Sequence, residues 1–303
     1  MKSLEFCLPE DIPTEIRVHD GHIPQMDVGK AGKVGFLEIN LEHDYGRNKT
    51  IITKQESQVP LYVQKALHYD ESLPNMAHVF ILSPSGGVLQ GDRYRTDITL
   101  QNEAVSHITT QGATRIYKMD ANYATQMVNL KVRNNSYLEF IPQQLIPYNN
   151  SRYYQKVTFN VDETSTLLYS ETLVPGRTAM GELFEYDICY LKTILENNSR
   201  DIQFLDSCIL QPKKQKMNII GVFGKYTVLS TIYVITKNNI LELNEKINLV
   251  FKDNDEIVGG SSILPNDSGL CVRILSNSTE DSKAMIYNIA KVVRKKFFYD
   301  SKN

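Results

Sequence analysis

The decapeptide at 83–92 reads SPSGGVLQGD and sets Gly86 and Gly91 five apart. That is the glycine spacing of a phosphate-binding loop, whose backbone amides cradle an anion where a helix begins. The remainder of such a loop is missing. Lys and then Ser or Thr should follow the second glycine, whereas Gly91 is followed by Asp92 and Arg93. A carboxylate in that place repels a phosphate at short range. Residues 94–100, YRTDITL, alternate as a strand does, so no helix N-terminus faces the loop. The stretch reads instead as a tight β corner. Gly86, Gly87 and Gly91 permit backbone angles that other residues resist, and Asp92 stands at its exit.

Other reactive side chains are scattered. The histidines are His19, His22, His43, His68, His78 and His107, with no HExxH and no Cys/His cluster. HDGH at 19–22 reads as an Asp-Gly turn or as a pair of imidazole ligands. Cys7, Cys189, Cys208 and Cys271 form no CxxC pair, and Cys189 within YDICYL reads as a buried thiol. No GxSxG elbow occurs. Glu139, Glu171 and Glu182 each follow a strand-like segment and could converge. Loop 174–185, VPGRTAMGELFE, sets Arg177 and Glu182 among glycines, either as a functional loop or as a Gly-rich corner. Glu139 with Glu182 could form the acid/base pair of a β-sandwich hydrolase. A carbohydrate-binding β module is a further reading.

The elements that must position these groups are mostly strands. Residues 1–32, rich in Pro and Gly, read as an irregular lead-in, and 33–303 as a single β-rich domain. In VGFLEINLEHDYG, Leu37, Ile39 and Leu41 alternate with polar neighbours, which predicts a half-buried strand. ITLQNEAVSHITTQ (98–111), LKVRNNSYLEFIPQ (130–143) and FNVDETSTLLYSET (159–172) repeat a strand, a polar turn and a second strand. Ala104, Ser136 and Ser165 take equivalent places, 32 and then 29 residues apart. This predicts stacked antiparallel β layers, superhelical or sandwich-like, each burying its neighbour's face. KINLVF (246–251) reads as a further strand and MNIIGVFGK as a short helical piece. Met285, Ile286, Ile289, Ala290, Val293 and Phe297 form a helical stripe, which predicts a C-terminal α-helix capped by Ser278.

Composition narrows the class. The 303 residues are 42% hydrophobic and 22% charged, which suits a globular domain. A net charge of −2 lacks the basic excess of a nucleic-acid binder. No run approaches 18 apolar residues, so no membrane span is expected. The opening MKSLEFCLPEDIP has no apolar leader, and with the unpaired cysteines it points to a cytoplasmic compartment.

Four blocks, SPSGGVLQGD, HITTQGATRIYK, LEFIPQQLIPY and PGRTAMGE, occur in an order and spacing that closely resemble the UreD (UreH) family of urease accessory proteins. The resemblance runs from about Gly35 to the C-terminus and is densest over 80–187. It departs at QG before Asp92, where many members have GG, and in the lead-in. It implies a non-catalytic scaffold for nickel-dependent urease maturation, folded as a β-rich superhelical stack. Such a scaffold binds UreF, which recruits the GTPase UreG, and docks on the urease apoprotein in a higher-order accessory complex. It implies no tightly bound cofactor, with nickel passing in transit. A polar passage suits that traffic, because sparse carboxylates and amides release a cation that clustered imidazoles would trap. Candidates for its lining are Asp92, Thr110, Gln111, Glu139, Gln143, Glu171 and Glu182, with Arg115 and Arg177 ordering the carboxylates. For each, local support of a turn or strand edge is the rival reading.

Overall fold

The computed structural model describes residues 2–21, 32–252 and 256–298. Two sheets face each other. The first runs β13 (Ile202–Leu210), β12 (Ile188–Glu196), β10 (Arg152–Val161), β7 (Ala124–Val132), β4 (Arg93–Gln101), β1 (Val34–Asp44), β2 (Lys49–Gln58). The second runs β15 (Val258–Ile263), β16 (Gly269–Ser276), β14 (Val228–Ile235), β11 (Thr166–Leu173), β8 (Tyr137–Phe140), β5 (Val105–Thr110), β3 (Ala77–Ile81). Short β6 (Thr114–Ile116) and β9 (Leu145–Pro147) pair beside it.

The repeat is the architecture. Val105 lies opposite Tyr137, and Tyr137 opposite Thr166, so the strand register reproduces the spacings of the sequence. The direction differs from expectation. β4, β7, β10 and β12 pair in parallel, as do β3, β5, β8 and β11. Each strand–turn–strand unit crosses from one sheet to the other instead of folding back on itself. Like strands therefore stack on like, as in a solenoid, and antiparallel pairing is confined to the flanks. The crossing turns rely on residues at positive φ: Asn102 and Glu103 in one, Asn134 and Asn135 in the next. Ser165 accepts from the backbone N–H of Ser136 at 3.2 Å, tying successive turns together.

Inward alternation builds the core. Leu37, Ile39 and Leu41 of β1 join Ile98, Leu100, Val128, Leu130, Val157 and Phe159 between the sheets. A second cluster forms outside the second sheet, where α2 (Ile240–Val250) and α3 (Thr279–Phe298) pack on it. Here α3 takes its expected place, and Ser278 Oγ accepts from the Asp281 N–H at 3.2 Å. The strand expected at 246–251 is instead the end of α2. Leu243 and Ile247, four apart, are both buried, and the Asn239 side chain accepts from the Glu242 N–H, so helical burial and a cap override the local β-propensity. The stretch 217–225 is a series of turns rather than a helical piece. Of the lead-in, the described residues 2–21 carry a 3-10 turn (Glu5–Cys7) and α1 (Thr14–Arg17) and pack on the first sheet's outer face.

Candidate functional site

The interior of the sandwich has an apolar end and a polar end. Tyr94, Gln126 and Gln155 lie side by side on β4, β7 and β10, all near the strand starts. The second sheet's strands run the opposite way, so Thr110, Gln143, Glu171 and Thr172 arrive at the same end. A cavity of about 380 Å³ opens there. Thr96, Thr110, Gln126, Gln143, Glu171 and Thr172 line it, with Tyr94, Phe140 and Tyr169 between them. Gly86, Gly87, Gln111 and Arg115 also border it, and Gly86, Gln111 and Arg115 are exposed. Five of the expected polar residues therefore meet in one place.

Glu171 is the carboxyl group lining this cavity and is only 6% exposed. Its Oε2 accepts from Gln155 Nε2 at 3.1 Å and from the Tyr169 hydroxyl at 3.3 Å. The Tyr153 hydroxyl donates to Gln126 Oε1 at 2.7 Å and stands 3.3 Å from Gln155 Oε1. Burial pushes the Glu171 pKa up to about 7, although Arg273, Tyr169 and Gln155 pull it down. The carboxyl thus changes charge near neutral pH, at the edge of a cavity lined by hydroxyls and amides. Such a donor set can take a divalent cation weakly and exchange it. Among the described residues, no group of three or more His, Cys, Asp or Glu is placed to hold a metal ion.

The other expected residues stand elsewhere. Asp92 is fully buried: Oδ1 accepts from the Lys33 N–H at 2.8 Å, and Oδ2 from the Leu89 N–H and the Tyr94 hydroxyl, both at 2.9 Å. Lys33 Nζ adds an ion pair at 2.8 Å. These bonds close the corner at 83–92. Gly91 there has φ +76°, and a Cβ on Gly87 would stand 2.4 Å from the Arg115 carbonyl oxygen. Gly87→Ala is therefore expected to cost about 1–3 kcal/mol, read as a lowered midpoint in urea.

Glu139 lies on the far side of the second sheet. Its carboxylate takes Arg294 of α3 in a bidentate pair at 2.5 and 2.6 Å, His107 at 2.8 Å and the Tyr137 hydroxyl at 2.7 Å. Burial opposes its charge, but Arg294 and His107 outweigh burial and hold the pKa at about 2. Glu182 pairs with Arg177 in the loop after β11, and Arg177 lies 4.3 Å from the centre of the Tyr148 ring. The Arg177 hydrogen bonds hold Glu182 below the usual carboxylate range. Both carboxyls are thus pinned as anions by arginine, the opposite of what a general acid requires. His22 of the HDGH stretch lies outside the described residues. Cys189 is buried, and burial raises its thiol pKa.

Gln126, Gln155, Thr96 and Tyr169 escaped notice in the sequence. A signal existed: Gln126 and Gln155 hold equivalent positions in the repeat, as their pairing demonstrates. Polar residues at the same inward place in successive units mark a polar column through a solenoid.

Comparison with known proteins adds an independent finding. The family model described as "UreD urease accessory protein" matches residues 33–302. The urease accessory protein UreD of Cenarchaeum symbiosum is 41% identical over 271 residues, covering 89% of this chain and 94% of that protein. Urease accessory protein UreD 2 of Brucella canis is 37% identical over 273 residues, 89% of this chain and 90% of its own. That of Yersinia pseudotuberculosis, named UreD, is 33% identical over 283 residues, 92% and 88% respectively.

Proposed function

The chain belongs to the UreD urease accessory protein family, with a role in urease maturation, and we propose that it acts there as a scaffold whose interior cavity lets nickel pass. In this reading it binds UreF, which recruits the GTPase UreG, and it docks on the urease apoprotein. Nickel is cargo, not a resident cofactor. The observation that carries the reading is the meeting of Thr110, Gln143 and Glu171 in one cavity of about 380 Å³ with a carboxyl poised near pH 7.

The chemistry suits transit. A borderline divalent cation is retained by several soft or nitrogen donors, whereas one carboxylate among hydroxyls and amides exchanges it readily. Glu171 supplies the charge that draws a cation inward. Its elevated pKa lets a proton take the cation's place, so entry of Ni²⁺ and loss of the proton are coupled. Arg115 at the border and Arg177 in the neighbouring loop limit how much positive charge can accumulate. Asp92 and Glu139, saturated by Lys33 and Arg294, serve in this reading as fixed struts rather than lining.

The family reading has a direct test. Urease subunits are co-expressed with the other accessory proteins, with or without this chain, and the purified urease is analysed for nickel. Omission is expected to leave urease largely without metal, and adding the chain back to restore it. Equal nickel and equal activity in both preparations would overturn the reading.

A further inference from the structure

The outer face of the first sheet is covered by residues of the chain's own N-terminal segment. The register of β10 and β12 sets Tyr154 beside Tyr190 and Lys156 beside Lys192. The two tyrosine rings meet edge-on, 5.3 Å apart, and with Ile188 and Tyr123 they form an apolar seat for Ile12 and Ile16. One step along, Asp11 bridges the two lysines at 2.7 and 2.6 Å. Further on, Arg95 donates to the Phe6 carbonyl and lies over its ring. A row of paired tyrosines, a row of paired lysines and an arginine thus read an acidic residue followed by two aliphatic anchors four apart.

Three observations argue that this contact is made to be broken. The matched family region begins at residue 33, so every groove residue named above lies within it and the strap lies outside. The strap does not satisfy what it covers: the Tyr154 hydroxyl is buried beneath it without a hydrogen-bond partner, a costly omission that a better-fitting segment would repair. Nor does the strap fill the face. A cavity of about 470 Å³ continues beside Glu10, lined by Asn129, Lys131, Thr158, Asn160 and Arg200.

We propose that residues 5–18 are a displaceable strap, and that the face beneath is a docking groove for an acidic peptide with aliphatic residues four apart. The peptide competes with the strap for the lysine and tyrosine pairs. Charge complementarity favours it at the lysine pair, where Asp11 meets both Lys156 and Lys192, and Glu10 borders a cavity that holds Lys131 and Arg200 as well as Glu38, Asp97 and Glu196. A peptide carrying an acceptor opposite Tyr154 gains a hydrogen bond that the strap lacks.

The probe is a labelled synthetic peptide of residues 5–18, added to the full chain. In a variant carrying Asp11→Lys and Ile16→Asp, backbone amides of 6–18 are expected to exchange faster with solvent while β10 and β12 stay protected. That variant should bind the peptide at least about tenfold more tightly than the unmodified chain, whose groove is occupied. Adding Lys156→Glu and Lys192→Glu should remove the gain, and a peptide bearing Asp11→Lys should recover it. Failure of the peptide to bind a variant whose strap is released and whose sheet is intact overturns the proposal. So does loss of protection in β10 and β12, which would make the strap a permanent part of the sheet.

Discussion

Replacing Glu171 by glutamine is expected to yield a more stable chain that is poorer at maturing urease. The side chain keeps its shape and its contacts with Gln155 and Tyr169. The charge is what changes. Glu171 has a folded pKa of about 7, raised from 4.5 by burial. Between those values the native chain holds a proton that the unfolded chain has released, so stability falls as pH rises through that window. Above pH 7 the carboxylate is ionised in a poorly hydrated place, at a cost of about 3 kcal/mol relative to the neutral form. Glu171→Gln should recover about that amount at pH 8 and almost none at pH 4.5. Urea unfolding at the two pH values measures it, and a pH-independent difference would contradict the assigned environment. Loss of function accompanied by gain of stability is the signature of a charge kept for its task.

Glu139→Ala is expected to have the reverse character, damaging the fold without touching the cavity. Glu139 has no exposed surface, and it holds Arg294, His107 and Tyr137 together. Removing it strands a mostly buried guanidinium whose other carboxylate, Asp70, is 3.7 Å away. The cost should be about 3–5 kcal/mol, with α3 the first element to lose protection from hydrogen exchange. Glu139 and Arg294 replaced together should cost less than Glu139 alone, since no charge is then left behind. The depressed pKa sets the pH range. This contribution is complete above about pH 4.5 and is lost only as pH falls toward 2. A change below about 1 kcal/mol in Glu139→Ala would show that the pair does not anchor the helix.

These two carboxylates illustrate what could be read from the chain and what could not. The repeat was legible, because equivalent residues recur at spacings that the strand register then reproduces. Strand direction was not, since a polar turn between two strands looks the same whether the chain folds back or crosses to the opposite sheet. Residue type marked Glu139 and Glu171 alike as carboxylates after strand-like segments that could converge. Which face each occupies depends on parity along strands whose partners lie outside the local window: Glu139 turns outward to Arg294, 155 residues away in sequence, and Glu171 turns inward to Gln155. The same holds for Asp92, rightly placed at a β corner, whose saturation by Lys33 required knowing that the start of β1 returns beside it. The helix at 240–250 was missed because α3 supplies the burial that makes it a helix.

Nickel in urease tests the central claim most directly. Urease apoprotein is matured with its accessory proteins and either the unmodified chain or Glu171→Gln, and the complexes are purified to verify that they assemble alike. Metal content of the resulting urease is then measured. Nickel is expected to fall at least about tenfold with Glu171→Gln while assembly is unchanged, because an amide neither attracts the cation nor exchanges a proton for it. Full nickel occupancy with Glu171→Gln in an intact complex would contradict passage of the metal through this cavity.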